Sequence, residues 1–148
     1  MSRENVEVVR RIFEEGEEGL FDRDSARILD FWDARGDYYP VETFPESRPC
    51  HGAEEIARFF SEFQQAWQRY EVRIKAITPV GDDRVLVHSR LAAQGRESGL
   101  DLQIELFHCY WLRHGRVFRQ EDHLTLPGAL RALGLSEDTL EAAGLAER

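Results

Sequence analysis

The 148-residue chain has only two cysteines, Cys50 and Cys109, far apart and in no Cys-x-x-Cys pair. A disulfide framework or a thiolate metal centre is therefore not expected, and both thiols read as buried or idle. A basic block is also missing: 19 Lys and Arg are interspersed among 28 Asp and Glu, for a formal charge of -9. That is the wrong footprint for DNA, RNA or an anionic membrane surface. No segment approaches the ~20 apolar residues of a membrane span, and Met1-Ser2-Arg3-Glu4-Asn5 leads into amphipathic sequence without an apolar signal core. The expectation is a cytoplasmic protein with neither a nucleic-acid nor a membrane partner. The chain lacks a Gly-rich phosphate loop, so no nucleotide, flavin or other cofactor is implied. Repeats, low-complexity tracts and linkers are absent, which leaves one domain over residues 1–148, long enough to bury roughly 70% of its unfolded surface without a staple.

What is present is a helical beginning and a strand-rich second half. Val6, Val9 and Phe13 mark the apolar edge of a first helix, with Ser2 as a candidate cap and Gly16 and Gly19 as its end. A second helix is expected from Asp22 or Asp24, with Ile28, Leu29, Phe31 and Trp32 on its buried side. Asp33-Ala34-Arg35-Gly36 should break it before a short extended run from Asp37 to Phe44. A third helix after Gly52 carries Ile56, Phe59, Phe60, Phe63 and Trp67 at helical spacing. Strands follow from Tyr70 to Pro79, from Arg84, from Leu100 and beyond His114-Gly115. Pro127 and Gly134 bracket a short helix, and the segment from Ser136 to Gly144 reads as one more weak helix.

The strand turns can be counted. A two-residue hairpin at His114-Gly115 sets Arg113 opposite Arg116, and an uninterrupted ladder then places Tyr110 opposite Arg119, His108 opposite Glu121 and Leu106 opposite His123. A loop centred near Ser98 puts His88 opposite His108 and Arg90 opposite Leu106. On this count one sheet face collects His88, Arg90, His108, Tyr110, Arg119, Glu121 and His123. His108 and Glu121 form an acid/base couple, Arg119 and Tyr110 hold developing negative charge, and His88, Arg90 and His123 join the ligand contacts. Tyr39 on the first strand and Phe59, Phe63 and Trp67 on the third helix supply apolar walls. The histidines show no tight metal-ligand spacing, so no metal is implied. The same residues also suit a cross-strand polar ladder with no ligand. The opposite face would show Phe107, Cys109, Trp111 and Phe118 beside Glu105, Gln120 and Asp122, an aromatic patch suited to a partner.

The order of elements resembles the nuclear transport factor 2-like superfamily, and within it the SnoaL-like and ketosteroid-isomerase-like proteins. The resemblance rests on Asn5-Val6-Glu7-Val8-Val9-Arg10, on Phe31-Trp32-Asp33, and on His51-Gly52-Ala53-Glu54-Glu55-Ile56-Ala57-Arg58-Phe59-Phe60. It continues through Gly95-Arg96-Glu97-Ser98-Gly99, His108-Cys109-Tyr110-Trp111, Gly115-Arg116-Val117 and Ala129-Leu130-Arg131-Ala132-Leu133-Gly134-Leu135. It implies an α+β cone: N-terminal helices packed on a curved, mainly antiparallel sheet with a short C-terminal helix. It implies a cavity between sheet and helices for a small organic molecule, and a homodimer through the sheet. Activities on this fold include isomerisation, cyclisation, dehydration and epoxide hydrolysis, and many members only bind. Residue by residue the enzymatic patterns are incomplete: Thr43, with Glu42 beside it, falls near the isomerase base, and Arg90-Leu91-Ala92 replaces the Arg-x-Asp of the epoxide-hydrolase-like branch, for which Asp122 matches the other carboxylate. The residues leave two readings open, a cofactor-independent isomerase, cyclase or lyase and a non-catalytic binding or dimerisation module.

Overall fold

The structure, a computed structural model, describes residues 2–17, 27–41 and 47–136. Helix α1 (Ser2–Glu17) buries Val9 and Ile12 and packs Val6 and Phe13 beside them, the stripe its spacing predicts. Then follow α2 (Ile28–Phe31), β1 (Trp32–Tyr39), β2 (Cys50–His51), α3 (Ala53–Ala66), β3 (Trp67–Val80), β4 (Arg84–Gly95), β5 (Asp101–Arg113), β6 (Arg116–His123) and α4 (Leu126–Leu133). The six strands make one sheet in the order β2-β1-β6-β5-β4-β3. Every neighbouring pair is antiparallel except β1 and β6, which run parallel. Helices α1 and α3 cover the inner face, where Val9, Ile12, Ile56 and Phe59 pack on Val85, Val87 and Tyr110. Each large side chain buried there stabilises the fold by about 1.5–3 kcal/mol. Helix α4 lies on the outer face, with Ala129, Leu130 and Leu133 against Leu86 and Cys109. This is the α+β cone expected from the element order.

Two helix boundaries differ from expectation. Among the described residues the second helix is the single turn of α2; Trp32 already belongs to β1, fully buried, and Leu29 is 46% exposed rather than buried. Asp33 to Gly36 does not interrupt the chain, because it lies within β1, where a Cβ on Gly36 would sit 3.2 Å from the Val117 carbonyl oxygen of β6. Glycine thus permits close approach of two backbones. Trp67 does not extend the α3 stripe: its backbone is extended (φ -113°, ψ 135°) and it opens β3. The expected start near Asp22 or Asp24, Gly19, residues Glu42 to Pro45, and the terminal segment beyond Ser136 lie outside the described residues. Helix α4 ends where predicted, with Pro127 in its first turn, Thr125 accepting a hydrogen bond from the Gly128 amide, and Gly134 left-handed at its close.

The register is the larger correction. His114 and Gly115 both have positive φ, 54° and 76°, and set Arg113 opposite Arg116 as counted. The next pairs are Leu112 with Val117 and Trp111 with Arg119, so Phe118 is an extra residue and forms a bulge. From there the ladder is offset by one. His108 faces Asp122 rather than Glu121, Tyr110 faces Gln120 rather than Arg119, and His123 faces Phe107 rather than Leu106. The β4–β5 loop is likewise tighter than a centre at Ser98 implies. The Gly95 amide bonds the Leu100 carbonyl at 3.0 Å, and His88 faces Phe107, Arg90 faces Glu105 and Val87 faces His108. Because side chains alternate along a strand, an offset of one sends half the counted cluster to the other face.

Candidate functional site

The inner face and helices α1 and α3 line a partly open cavity of about 120 Å³. Phe13 of α1, Phe59, Phe60 and Phe63 of α3, and Tyr38, Tyr70 and Tyr110 of the sheet make it strongly aromatic. The rings brace one another: Tyr38 meets Phe59 edge-on at 5.2 Å and lies nearly parallel to Phe60 at 5.8 Å. Its polar groups form two sets: β1, β6 and β5 present Tyr38, Gln120, Asp122, His108 and Tyr110, and apart from them Gln64 of α3 donates to the hydroxyl of Tyr70 of β3 at 2.8 Å.

Tyr38, Gln120, Asp122 and His108 form a single hydrogen-bonded chain. Asp122 Oδ1 lies 2.7 Å from His108 Nδ1 and accepts from Gln120 Nε2 at 3.1 Å; Asp122 Oδ2 accepts the Tyr38 hydroxyl at 2.5 Å. His108 Nε2 is 2.8 Å from the Oγ of Ser89, a fully buried residue of β4. The His108 and Asp122 side chains are only 7% and 6% exposed. Burial pushes the Asp122 carboxyl up, but the charge of His108 and hydrogen bonds from His108, Tyr38 and Gln120 outweigh it, and the net direction is down. Asp122 is therefore ionised at neutral pH. Burial, reinforced by the Asp122 charge, raises both phenols, so Tyr38 and Tyr110 stay protonated donors. A carboxylate offers about four acceptor sites; three are taken, and the fourth, on Oδ2, is free. Ser89 completes the chain because a hydroxyl both donates and accepts, so it satisfies Nε2 whether or not that nitrogen carries a proton.

Tyr110 differs from the rest. It is 2% exposed and lines the cavity, yet its hydroxyl has no hydrogen-bond partner among the described residues. Beside it, Gln120 Oε1 is also buried without a donor. The amide cannot be turned round to cure this, since its Nε2 is needed by the ionised Asp122. Native interiors leave few such groups unsatisfied.

The residues singled out from sequence divide between the two faces. His108, Tyr110, Phe59 and Phe63 line the cavity. Trp67 is not in the lining but packs behind it, ring to ring with Phe63 at 5.8 Å. Arg119, Glu121, His88, Arg90, His123 and Tyr39 stand on the outer face: Arg119 lies over the rings of Tyr39 and Trp111 and bonds Glu121, His123 meets Glu121 at 3.2 Å, and Glu105 takes both His88 and Arg90 at 2.8 Å. Gln120 and Asp122, expected outside, are inside. Tyr38, Ser89, Gln120 and Asp122 were not among the expected cavity residues. The sequence signal for Gln120 and Asp122 is the adjacent apolar pair Val117-Phe118, which breaks the alternation of β6 where the bulge sits. Among the described residues no three His, Cys, Asp or Glu converge as metal ligands, both cysteines are free, and no helix is long and apolar enough to cross a membrane.

No curated protein sequence matches the chain. Solved structures share the fold at low identity. Bal32a, from a soil-derived mobile gene cassette, is 19% identical with a TM-score of 0.74, covering 86% of this chain and 94% of its own. An epoxide hydrolase of Mycobacterium tuberculosis, like limonene epoxide hydrolase, is 18% identical with a TM-score of 0.66, covering 90% and 94%. TerC, co-crystallised with polyporic acid, is 20% identical with a TM-score of 0.65, covering 88% and 97%. The family model for the SnoaL-like domain matches residues 9–120, and the chain belongs to that family.

Proposed function

We propose that the cavity binds a small, largely apolar organic molecule and that the His108–Asp122 couple exchanges a proton with it, the elementary step of isomerisation, cyclisation and dehydration. The observation that carries this is a buried carboxylate with one free acceptor site in the wall of an aromatic pocket. In this reading Asp122 Oδ2 takes the proton, and the Tyr110 hydroxyl stabilises negative charge that develops on the ligand. His108, bonded to Asp122 and Ser89, holds the carboxylate in place as the proton moves. Fold neighbours that act on an epoxide or were co-crystallised with polyporic acid support a cavity that admits organic ligands.

Deuterium exchange tests this without knowledge of the natural reaction. In heavy water the protein should speed exchange at the carbon next to the carbonyl of a small enolisable ketone, followed by NMR, and Asp122→Asn should remove that acceleration. A wild-type protein that binds ketones but never accelerates exchange would establish the rival reading, a binding module whose polar chain is structural. That rival draws on one observation: both His108 nitrogens are already occupied.

On the outer face, half-buried Phe107 and Trp111 stand among Arg119, Glu121 and His123. This mixture of rings and paired charges suits a second copy, and the reading includes a homodimer through the sheet. Light scattering should give twice the 17.2 kDa chain mass; the single mass would refute it.

A further inference from the structure

Resting on the reading of this cavity as a ligand site, we infer that its ligand is an uncharged molecule of a single ring that carries an oxygen acceptor, such as a phenol or a cyclic ketone. Three observations converge. The first is size: the partly open cavity has about 120 Å³, and a dry apolar cavity of about 150 Å³ takes benzene. One ring fills that volume, and a second, fused ring would stand outside it. The second is charge. Among the described residues lining the cavity there is no Arg or Lys, and the charge of His108 is already met by Asp122. A carboxylate or phosphate would be desolvated beside that carboxylate with no unpaired cation to meet it, which excludes anions. Arg119, the cation that could have served, is committed to Glu121 on the other side of the sheet.

The third observation is chemical. Tyr110 lines the cavity, its hydroxyl stays protonated and has no partner among the described residues, so it is free to donate to an acceptor in the cavity. Asp122 Oδ2, with one site free, accepts a hydrogen. A phenol satisfies both through one oxygen; an enolisable ketone accepts from Tyr110 through its carbonyl and offers Asp122 the neighbouring C–H. The ring lies among Phe13, Phe59 and Phe63.

Calorimetric titration of the whole protein with toluene, phenol, cyclohexanone, benzoate and 2-naphthol tests the assignment. Phenol and cyclohexanone should bind about tenfold more tightly than toluene, the worth of one buried hydrogen bond, with benzoate and 2-naphthol failing to bind. Tyr110→Phe should cancel the advantage and leave toluene unchanged. A second readout needs no variant: the carbonyl carbon of cyclohexanone bound to the wild-type protein should move downfield in its ¹³C spectrum, as a carbonyl accepting a hydrogen bond does. An unmoved carbonyl, or phenol binding equally well to both proteins, would overturn the Tyr110 contact. Benzoate binding would overturn the charge argument, and 2-naphthol binding the single-ring limit. If none of the five binds, toluene included, the cavity is not a ligand site and the proposed function falls with it.

Discussion

The two faces of one sheet carry the same kinds of pair in different surroundings. Inside, His108 and Asp122 are both more than nine-tenths buried, and every bond they make is to another buried group. Outside, His88 meets a Glu105 that is 38% exposed, and His123 meets Glu121 with exposures of 26% and 18%. An imidazole–carboxylate contact is not in itself a site. The inner pair is removed from water, so its charge, its hydrogen bonds and any proton it moves are felt in full; the outer pairs share their fields with solvent. A search for His–carboxylate pairs alone would find four couples among the described residues, the exposed His51–Asp37 included, and burial separates one from the other three.

Removing Asp122 should therefore be the most damaging single change. Asp122→Ala strips partners from His108, Tyr38 and Gln120 at once. Breaking a buried pair from one side costs about 3–5 kcal/mol, and denaturant unfolding should show a loss of that order. The same carboxylate gives the wild-type protein a pH signature. Its folded pKa lies below the unfolded value, so its contribution is complete above about pH 4 and drains away as pH falls through the folded pKa. Asp122→Asn should flatten that acid limb of a stability–pH curve. An unaltered limb would mean that other carboxylates set it.

Ser89→Ala should come next. It leaves His108 Nε2 buried without a partner, at about 1–3 kcal/mol. The ¹⁵N chemical shift of His108 Nε2 distinguishes positioning from mere packing: loss of the hydroxyl should move it, because the hydrogen bond at that nitrogen is gone. Ser89→Thr keeps the oxygen and should restore the wild-type shift. A ring with the same shift in all three proteins would reduce Ser89 to a space-filler.

Much of this architecture was legible from spacing. The apolar stripes of α1 and α3, the brackets of α4 and the His114-Gly115 hairpin are local, and local patterns survive in any tertiary context. The boundary between α2 and β1 was not, because Trp32 is fixed by packing between helix and sheet rather than by its neighbours in sequence. The site was half legible. His108 and Tyr110 sit two apart on one strand and share a face under any register, but their partners depend on a one-residue bulge and on half a residue in a loop. One clue was in plain view: Leu102, Ile104 and Leu106 alternate with Asp101, Gln103 and Glu105, and the observed register sets Leu102 opposite Ala93 and Ile104 opposite Leu91, where the counted one sets them opposite Gln94 and Ala92. Hydrophobic alternation outranks a loop count, since a slip exposes an entire row while a loop adjusts at little cost.

The smallest effect belongs to the outer face, and it sharpens the contrast most. Glu121 bonds Arg119 and His123, and Glu105, its carboxyl held down chiefly by the Arg90 hydrogen bond, also takes His88. Partly exposed pairs of this kind contribute about 0–1 kcal/mol each. Glu121→Gln and Glu105→Gln should each move stability by less than that, and the loss should shrink further as salt is added, since screening acts on pairs that water can reach. Neither should alter phenol binding, because the backbone of the sheet stands between these side chains and the cavity. A Glu121→Gln variant that lost ligand affinity would show that the two faces communicate through β6, and the division drawn from burial would then have to give way to a coupled strand.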